Sequence, residues 1–250
     1  MKPPPFEYYA PKSIDEVCAL LSTLEDAKVL AGGQSLVPLL NFRLARPAHL
    51  VDINRVPDMA GIYERDGGVA VGALARQAAV EDSALVARIC PLLTETMGLV
   101  AHRVIRHRGT ICGSLAHSDP ASELPAVLLA LGGHVIARST RGERAIPAAQ
   151  LFKSVFETTL APDELLVEAW FPALSGAFAI AEESRRHGDF ALAGVVWAAG
   201  RLALFGVAST PVLADHRDPT KGLHPSGDLE ATPEFRLHLV KVLTERVLAA

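Results

Sequence analysis

Short blocks of apolar residues at helical spacing alternate along the chain with short apolar runs bounded by glycine or proline, a pattern that predicts mixed α and β structure. SIDEVCALL opens with Ser13 as an N-cap and Glu16 three residues on, a capping box, and Ile14, Val17, Leu20, Leu21 and Leu24 follow on one helical face. Lys28 to Ala31 reads as a short strand ending in Gly32-Gly33, after which apolar residues run to Leu44. LVDIN, from Leu50, and GGVAVGAL, Gly67 to Leu74, read as buried strands. VEDSALVARICPLLTETMGLVAH is mostly helical, with Pro91 opening a second segment. A helix is expected from Pro120 to near Leu131, stopped by Gly132 and Gly133, then a strand HVIARS and a closing strand ELLVEAWFP. Beyond Ala173 the texture changes. FALAGVVWAAGRLALFGVAS reads as a hairpin turning at AAGR, DHRDPTKGLHPSGD as polar coil, and PEFRLHLVKVLTERVL as an amphipathic helix. A boundary near residue 175 divides the chain.

Composition narrows the class. The 250 residues are 50% hydrophobic and 21% charged, enough for a substantial core, and the net charge of −4 gives no global pull toward nucleic acid or an anionic membrane. Arg103, Arg106 and Arg108 are too few for a nucleic-acid stripe. Cys18, Cys90 and Cys112 show no CxxC spacing, and their odd number suits reduced thiols in the cytoplasm. The N-terminal MKPPPFEYYAP lacks the apolar core of a signal peptide. The longest apolar tract, Phe190 to Ala208, is broken by Gly194, Gly200 and Arg201, whereas a membrane span needs about 20 apolar residues.

Two small-residue loops carry the candidate chemistry. In AGGQSL, successive N–H groups around Gly32 and Gly33 can form an anion-binding nest to which Ser35 adds a hydroxyl; the other reading is a tight strand-to-helix turn. In RGTICGSLAHSDP, Thr110 and Ser114 place hydroxyls on either side of a turn at Gly113. The spacing matches neither GxGxxG nor GxxxxGK[ST]. Two such loops in one unit suit a diphosphate held from two directions, with positive charge available from Arg106 and Arg108. Asp119-Pro120 reads first as a helix cap and only second as a ligand contact, and Glu123, one turn on, could accept from ribose hydroxyls or be a surface carboxylate. His102, His107, His117 and Asp119 fit no zinc spacing, and Ser114 lies outside a GxSxG elbow. Cys112 reads as a small apolar filler.

AGGQSL together with RGTICGSLAHSDPASELPAVLLALG resembles the flavin-binding medium subunit of the molybdenum hydroxylases, the family of xanthine dehydrogenase and carbon monoxide dehydrogenase. FEYYAPKSIDEVCALL, PDELLVEAWFP, SRRHGDFALAGV and GDLEATPEFRLHLVKVLTERVL are similar to that family too, so the resemblance spans nearly the whole chain. It implies an α+β fold: an FAD-binding domain of the PCMH (vanillyl-alcohol-oxidase) type, residues 1–175, made of two α+β subdomains. A smaller C-terminal domain, residues 176–250, would add a three-stranded antiparallel sheet and helices. By family motif, Ala31, Gly32, Gly33, Gln34, Ser35 and Leu36 would hold the pyrophosphate with Thr110, Ile111, Cys112, Gly113 and Ser114. Ala101, Asp119 and Glu123 would touch the cofactor, Leu166 would lie at the flavin end, and Phe190 would sit near the isoalloxazine.

The resemblance implies an oxidoreductase subunit without a catalytic acid, base or nucleophile of its own. Electrons would come from a small partner subunit with two [2Fe-2S] clusters, fed by a molybdopterin-binding large subunit, and leave through FAD to an external acceptor. The assembly would be a dimer of heterotrimers. Two departures stand out: Cys112 replaces a glycine common in the family, which should narrow the turn, and the C-terminal domain looks shortened, with a tight hairpin and no helix between PVLADH and GDLEATPEF. Competing readings are a stand-alone flavin oxidoreductase, a scaffold subunit that has lost FAD, and an unrelated nucleotide-sugar binder.

Overall fold

The computed structural model describes residues 2–249. An N-terminal unit comprises β1 (Glu7–Tyr9), α1 (Ile14–Thr23), β2 (Ala27–Leu30), α2 (Leu36–Asn41) and β3 (His49–Asp52), with the strands in a parallel sheet of order β1-β3-β2. Ser13 caps α1 by accepting from the Glu16 N–H, while the Glu16 carboxylate takes the N–H of Lys12, one residue earlier than a capping box places it. β2 stops at Leu30, not Ala31, which leaves Ala31 in the loop that follows.

A second unit follows, built on an antiparallel sheet of order β4-β5-β10-β6-β7. Its elements are β4 (Ile62–Arg65), β5 (Gly68–Gly72), α3 (Gln77–Glu81), α4 (Ala84–Ile89), α5 (Pro91–Leu99), α6 (Arg103–Arg106), α7 (Ile111–His117) and α8 (Glu123–Leu131). They continue with β6 (His134–Ser139), β7 (Gly142–Pro147), α9 (Ala148–Leu151), the short pair β8 (Phe152–Ser154) and β9 (Glu157–Thr158), and β10 (Leu165–Pro172). All nine residues of α8 are buried, which makes it the central helix of the larger core.

Two expectations here need correction. The Thr110–Ser114 stretch is the first turn of α7, not a free turn: Thr110 caps it by accepting from the Gly113 N–H at 3.0 Å. And α8 starts at Glu123, not Pro120. The Asp119 carboxylate instead accepts from the Ala121 N–H at 2.9 Å, closing a local turn, and Ser122 precedes the helix. The reason is Pro125. It fits the first turn of a helix begun at Glu123, but in a helix begun at Pro120 it would lose an interior hydrogen bond and clash with the carbonyl four residues back.

The C-terminal segment forms an antiparallel sheet of β11 (Phe178–Glu183), β12 (Ala193–Ala198), β13 (Arg201–Phe205) and β14 (Val212–Ala214), backed by α10 (Pro233–Ala249). The expected three strands are present, and Val212–Ala214 adds a short fourth. The hairpin turns at Ala199 and Gly200, both at positive φ (52° and 72°), the conformation a two-residue turn needs to match strand twist. β11 has two faces. Phe178 and Ile180 pack on the larger core, whereas Ala179 and Ala181 pack on a second cluster formed with Leu239, Val240 and Leu243 of α10. No helix among the described residues is long and apolar enough to cross a membrane. The chain is thus α+β: two α+β units followed by an antiparallel sheet and a helix.

Candidate functional site

The two small-residue loops meet. Gly32 lies against the chain at Arg108 and Gly109, so closely that a Cβ built on it would stand 2.3 Å from the Arg108 carbonyl oxygen and 2.9 Å from the Gly109 Cα. Only a glycine permits that approach. Gly33 adopts φ +72°, turning the loop into α2, and its carbonyl accepts from the Val37 N–H. Among the described residues, no protein acceptor takes the N–H groups of Gly32, Gly33, Gln34, Ser35 or Leu36. Ser35 precedes α2 but makes no side-chain cap bond, so its hydroxyl is also uncommitted.

Opposite stands the start of α7. Gly113 is required by the cap, since a Cβ there would reach 2.6 Å from Thr110 Oγ1. The Thr110 hydroxyl accepts the Gly113 N–H with its oxygen, and its own hydrogen remains free to donate to an anion. Ile111 and Cys112 point inward and are buried. Cys112 Sγ lies 3.6 Å from the Val71 carbonyl, and burial pushes its thiol far up. The cysteine therefore fills core space behind the helix and does not narrow the loop, contrary to expectation.

A clamp holds the loops in place. The Asn54 amide donates to the Ala31 carbonyl at 2.8 Å, and the Arg76 guanidinium donates to Asn54 Oδ1 at 2.6 Å and to the Arg108 carbonyl at 2.7 Å. Asp52 accepts from the Asn54 N–H and side-chain amide and from the Tyr8 hydroxyl at 2.6 Å. Burial and the neighbouring Arg108 lower the Arg76 pKa. Sequence reasoning missed Asn54 and Arg76. The available signal was a polar residue a few positions past each of two buried strands, where a loop carbonyl needs a donor.

Arg106 does not face the loops. It is buried, holds Glu81 through two bonds of 3.0 and 2.9 Å, and donates to the carbonyls of Val100 and Ala101. Its charge is spent fixing Ala101, whose φ is +44°. Next to Ala101, His102 contacts the 184–190 loop: its ring lies 5.8 Å from that of His187, and a Cβ on Gly188 would reach 2.7 Å from it. Phe190 on that loop is 62% exposed. Leu166 is buried in β10, a strand that packs against α7. Glu123 is only 8% exposed, and burial raises its pKa to about 7.

This is a cradle of free N–H groups and hydroxyls at the starts of two helices, the donor set a diphosphate requires and one that tolerates no side chain between the loops. Such a donor set is the kind found in dinucleotide-binding proteins. Residues 4–174 match the family model described as the FAD binding domain in molybdopterin dehydrogenase. The 6-hydroxypseudooxynicotine dehydrogenase complex subunit alpha of Paenarthrobacter nicotinovorans is 41% identical over all of this chain and 95% of its own length. The carbon monoxide dehydrogenase of Hydrogenophaga pseudoflava, in a form lacking the Mo-pyranopterin moiety, has a chain that superposes with TM-score 0.95 at 34% identity, covering 100% of this chain and 98% of that one. Quinoline 2-oxidoreductase from Pseudomonas putida 86 superposes equally, at 0.95 and 33% identity over 100% and 97%. The chain belongs to the FAD-binding medium subunits of the molybdenum hydroxylase family, and is an oxidoreductase subunit.

Proposed function

We propose that this chain relays electrons within a multi-subunit hydroxylase, receiving them from the [2Fe-2S] clusters of a small partner subunit and passing them to an external acceptor. A molybdopterin-binding large subunit would hydroxylate the substrate, and the assembly would be a cytoplasmic dimer of heterotrimers. The single observation that carries this reading is the pair of loops locked together by Arg76 and Asn54, with the N–H groups of Gly32 to Leu36 left free. Bound FAD would supply the exchange between one-electron and two-electron transfer. The chain's own task is to hold and orient the dinucleotide. Backbone N–H groups of Gly32 to Leu36, with the Thr110, Ser114 and Ser35 hydroxyls, would take the pyrophosphate. Glu123 would face hydroxyls of the cofactor, and Ala101, Leu166 and Phe190 would border the flavin. Asp119, engaged with the Ala121 N–H, would add at most its second carboxylate oxygen.

The reading also divides the chain into an FAD-binding domain at 1–175 and a C-terminal domain at 176–250. The alignment with the Paenarthrobacter relative runs over 282 positions against 250 residues here, so this chain lacks residues that the relative has.

The test is to co-express the chain with a molybdopterin-binding large subunit and an iron–sulfur small subunit from the same source and follow absorbance. Substrate should bleach the flavin in the complex. In a complex whose medium subunit cannot bind FAD, substrate should still reduce the iron–sulfur clusters while acceptor reduction stops. Turnover by the isolated chain at the rate of the complex would favour a stand-alone oxidoreductase. A colourless chain would favour a scaffold.

A further inference from the structure

The outer end of α2 carries side chains that the cradle does not use. Arg43, just past the helix, adopts φ +60°. The Leu44 N–H donates to the Leu39 carbonyl at 2.9 Å and the Arg43 N–H to the Leu40 carbonyl at 3.0 Å, the bond pattern of a helix closed by a left-handed residue. Glycine takes that conformation freely, whereas an arginine there is strained. In such a helix end the residue at the position of Leu44 usually packs back on the last turn. Here it stands in solvent: Leu44 is 76% and Phe42 67% exposed, and Val37 is exposed nearer the cradle.

Charge sets this patch apart from other exposed apolar side chains. Between Asp26 and Asp52 the chain holds no aspartate or glutamate, while Lys28, Arg43 and Arg46 all fall there. The Arg43 guanidinium donates to the Lys2 carbonyl and that of Arg46 to the Arg43 carbonyl, and among the described residues neither pairs with a carboxylate. Asp26 and Glu7 reach this segment at Ala48 and His49 and are engaged there, Asp26 by the Ala48 N–H and Glu7 by the Tyr9 hydroxyl. Elsewhere the charges are already matched or negative. Val155 and Phe156 sit beside the Lys153–Glu157 pair, Val104 lies beside Arg103, which holds Glu81 and Asp82, and Leu229 lies between Asp228 and Glu230.

We propose that Phe42 and Leu44, flanked by Arg43 and Arg46, form the docking surface for an acidic electron-donating protein. That this partner is the [2Fe-2S] subunit rests on the relay reading above. An apolar centre beside uncommitted cations fits a partner that presents an apolar spot among carboxylates, and opposite charges steer such an encounter. A second copy of this chain does not fit, because a two-fold contact would set the same cations against each other. Position points the same way. α2 begins at the cradle and its six residues span about 9 Å, so a donor docked at the outer end stands close to the dinucleotide, and electron transfer weakens steeply with distance. The strained backbone of Arg43 is then the means by which its charge and the Leu44 side chain are both held outward.

The experiment titrates the full chain with the cluster-loaded small subunit from the same source, for wild type, Phe42→Ser/Leu44→Ser, Arg43→Glu/Arg46→Glu, Arg43→Gly and, as a control, Leu229→Ser. Both double variants should bind the small subunit more than about tenfold more weakly while holding FAD as wild type does, and the charge-reversed one should lose most of the salt dependence of docking. Arg43→Gly separates docking from stability. It relieves the left-handed strain, so the chain should unfold at or above the wild-type temperature and yet dock several-fold more weakly. Leu229→Ser should match wild type throughout. Wild-type affinity for the small subunit in both double variants overturns the docking surface while leaving the relay reading intact, as does weakened binding of the large subunit alone or self-association of the wild type through this patch. Loss of FAD from the double variants also overturns it, by assigning the patch to the cradle. A wild type that binds no small subunit overturns the relay reading, and this occupant with it.

Discussion

The Arg76 guanidinium donates to the main-chain carbonyl of Arg108 at 2.7 Å, joining residues 32 positions apart and, through Asn54, the two small-residue loops. Arg76→Ala should weaken FAD binding by tenfold or more, and the lost charged hydrogen bonds should cost about 1.5–3 kcal/mol of stability. Arg76→Lys should recover little, because an ammonium does not present two donors in a fixed fork. Flavin fluorescence titration beside thermal unfolding separates the two effects. Undiminished FAD affinity in Arg76→Ala would show that the clamp does not support the site.

Gly32→Ala should separate the loops. Its Cβ would stand 2.3 Å from a backbone oxygen that cannot rotate away, so one loop must move. FAD affinity should fall by more than tenfold while far-UV circular dichroism stays unchanged. Gly67→Ala, at positive φ (+69°) with nothing within 4 Å, is the control: it should cost about 1 kcal/mol of backbone strain and leave FAD affinity alone. Gly33→Val should combine both penalties, since Gly33 has φ +72° and contacts at 3.1 Å.

Thr110→Val removes the cap of α7 and, on the proposed reading, a hydroxyl donor to the pyrophosphate. The cap alone is worth about 1 kcal/mol, and the bond to a charged oxygen about 1.5–3 kcal/mol. Thr110→Ser keeps both and should restore FAD affinity and thermal stability nearly to wild type. Equal FAD affinity in all three proteins would remove Thr110 from the site.

Glu81→Gln should be the most destabilising of these changes. It strips the partner from Arg106, a buried guanidinium, and breaking such a pair costs about 3–5 kcal/mol, less here because Glu81 keeps some exposure. The Ala101 turn held by Arg106 should loosen with it, seen as faster hydrogen exchange between Val100 and His102. Slow exchange there, in a protein unfolding at the wild-type temperature, would contradict the role given to Arg106.

Local signals were legible in the chain. Ser13 and the apolar spacing behind it marked α1, Gly132-Gly133 marked the end of α8, and AAGR marked the hairpin, because each depends on neighbours a few residues apart. AGGQSL could be recognised as a small-residue turn leaving a strand, whereas Thr110–Ser114 proved to be the capped first turn of α7. The start of α8 was misread for a local reason as well: Asp119-Pro120 offers a good cap, but Pro125 moves the helix start three residues on.

What adjacent residues could not convey was which partner each polar group would find. Arg106 and Arg108 look alike in sequence, yet Glu81, 25 positions away, captures the Arg106 side chain, while Arg108 contributes its carbonyl. Cys112 looked like an intrusion into a glycine turn until the helix turned it toward Val71, 41 positions back. β11 presents Phe178 and Ile180 to one core and Ala179 and Ala181 to the other only because the sheet is sandwiched between them. Periodicity and caps follow from bonds within a few residues of chain. Charge pairing and the Gly32–Arg108 approach exist only once distant segments are packed, where burial strips away water and each polar group must bond to whatever the fold has placed beside it.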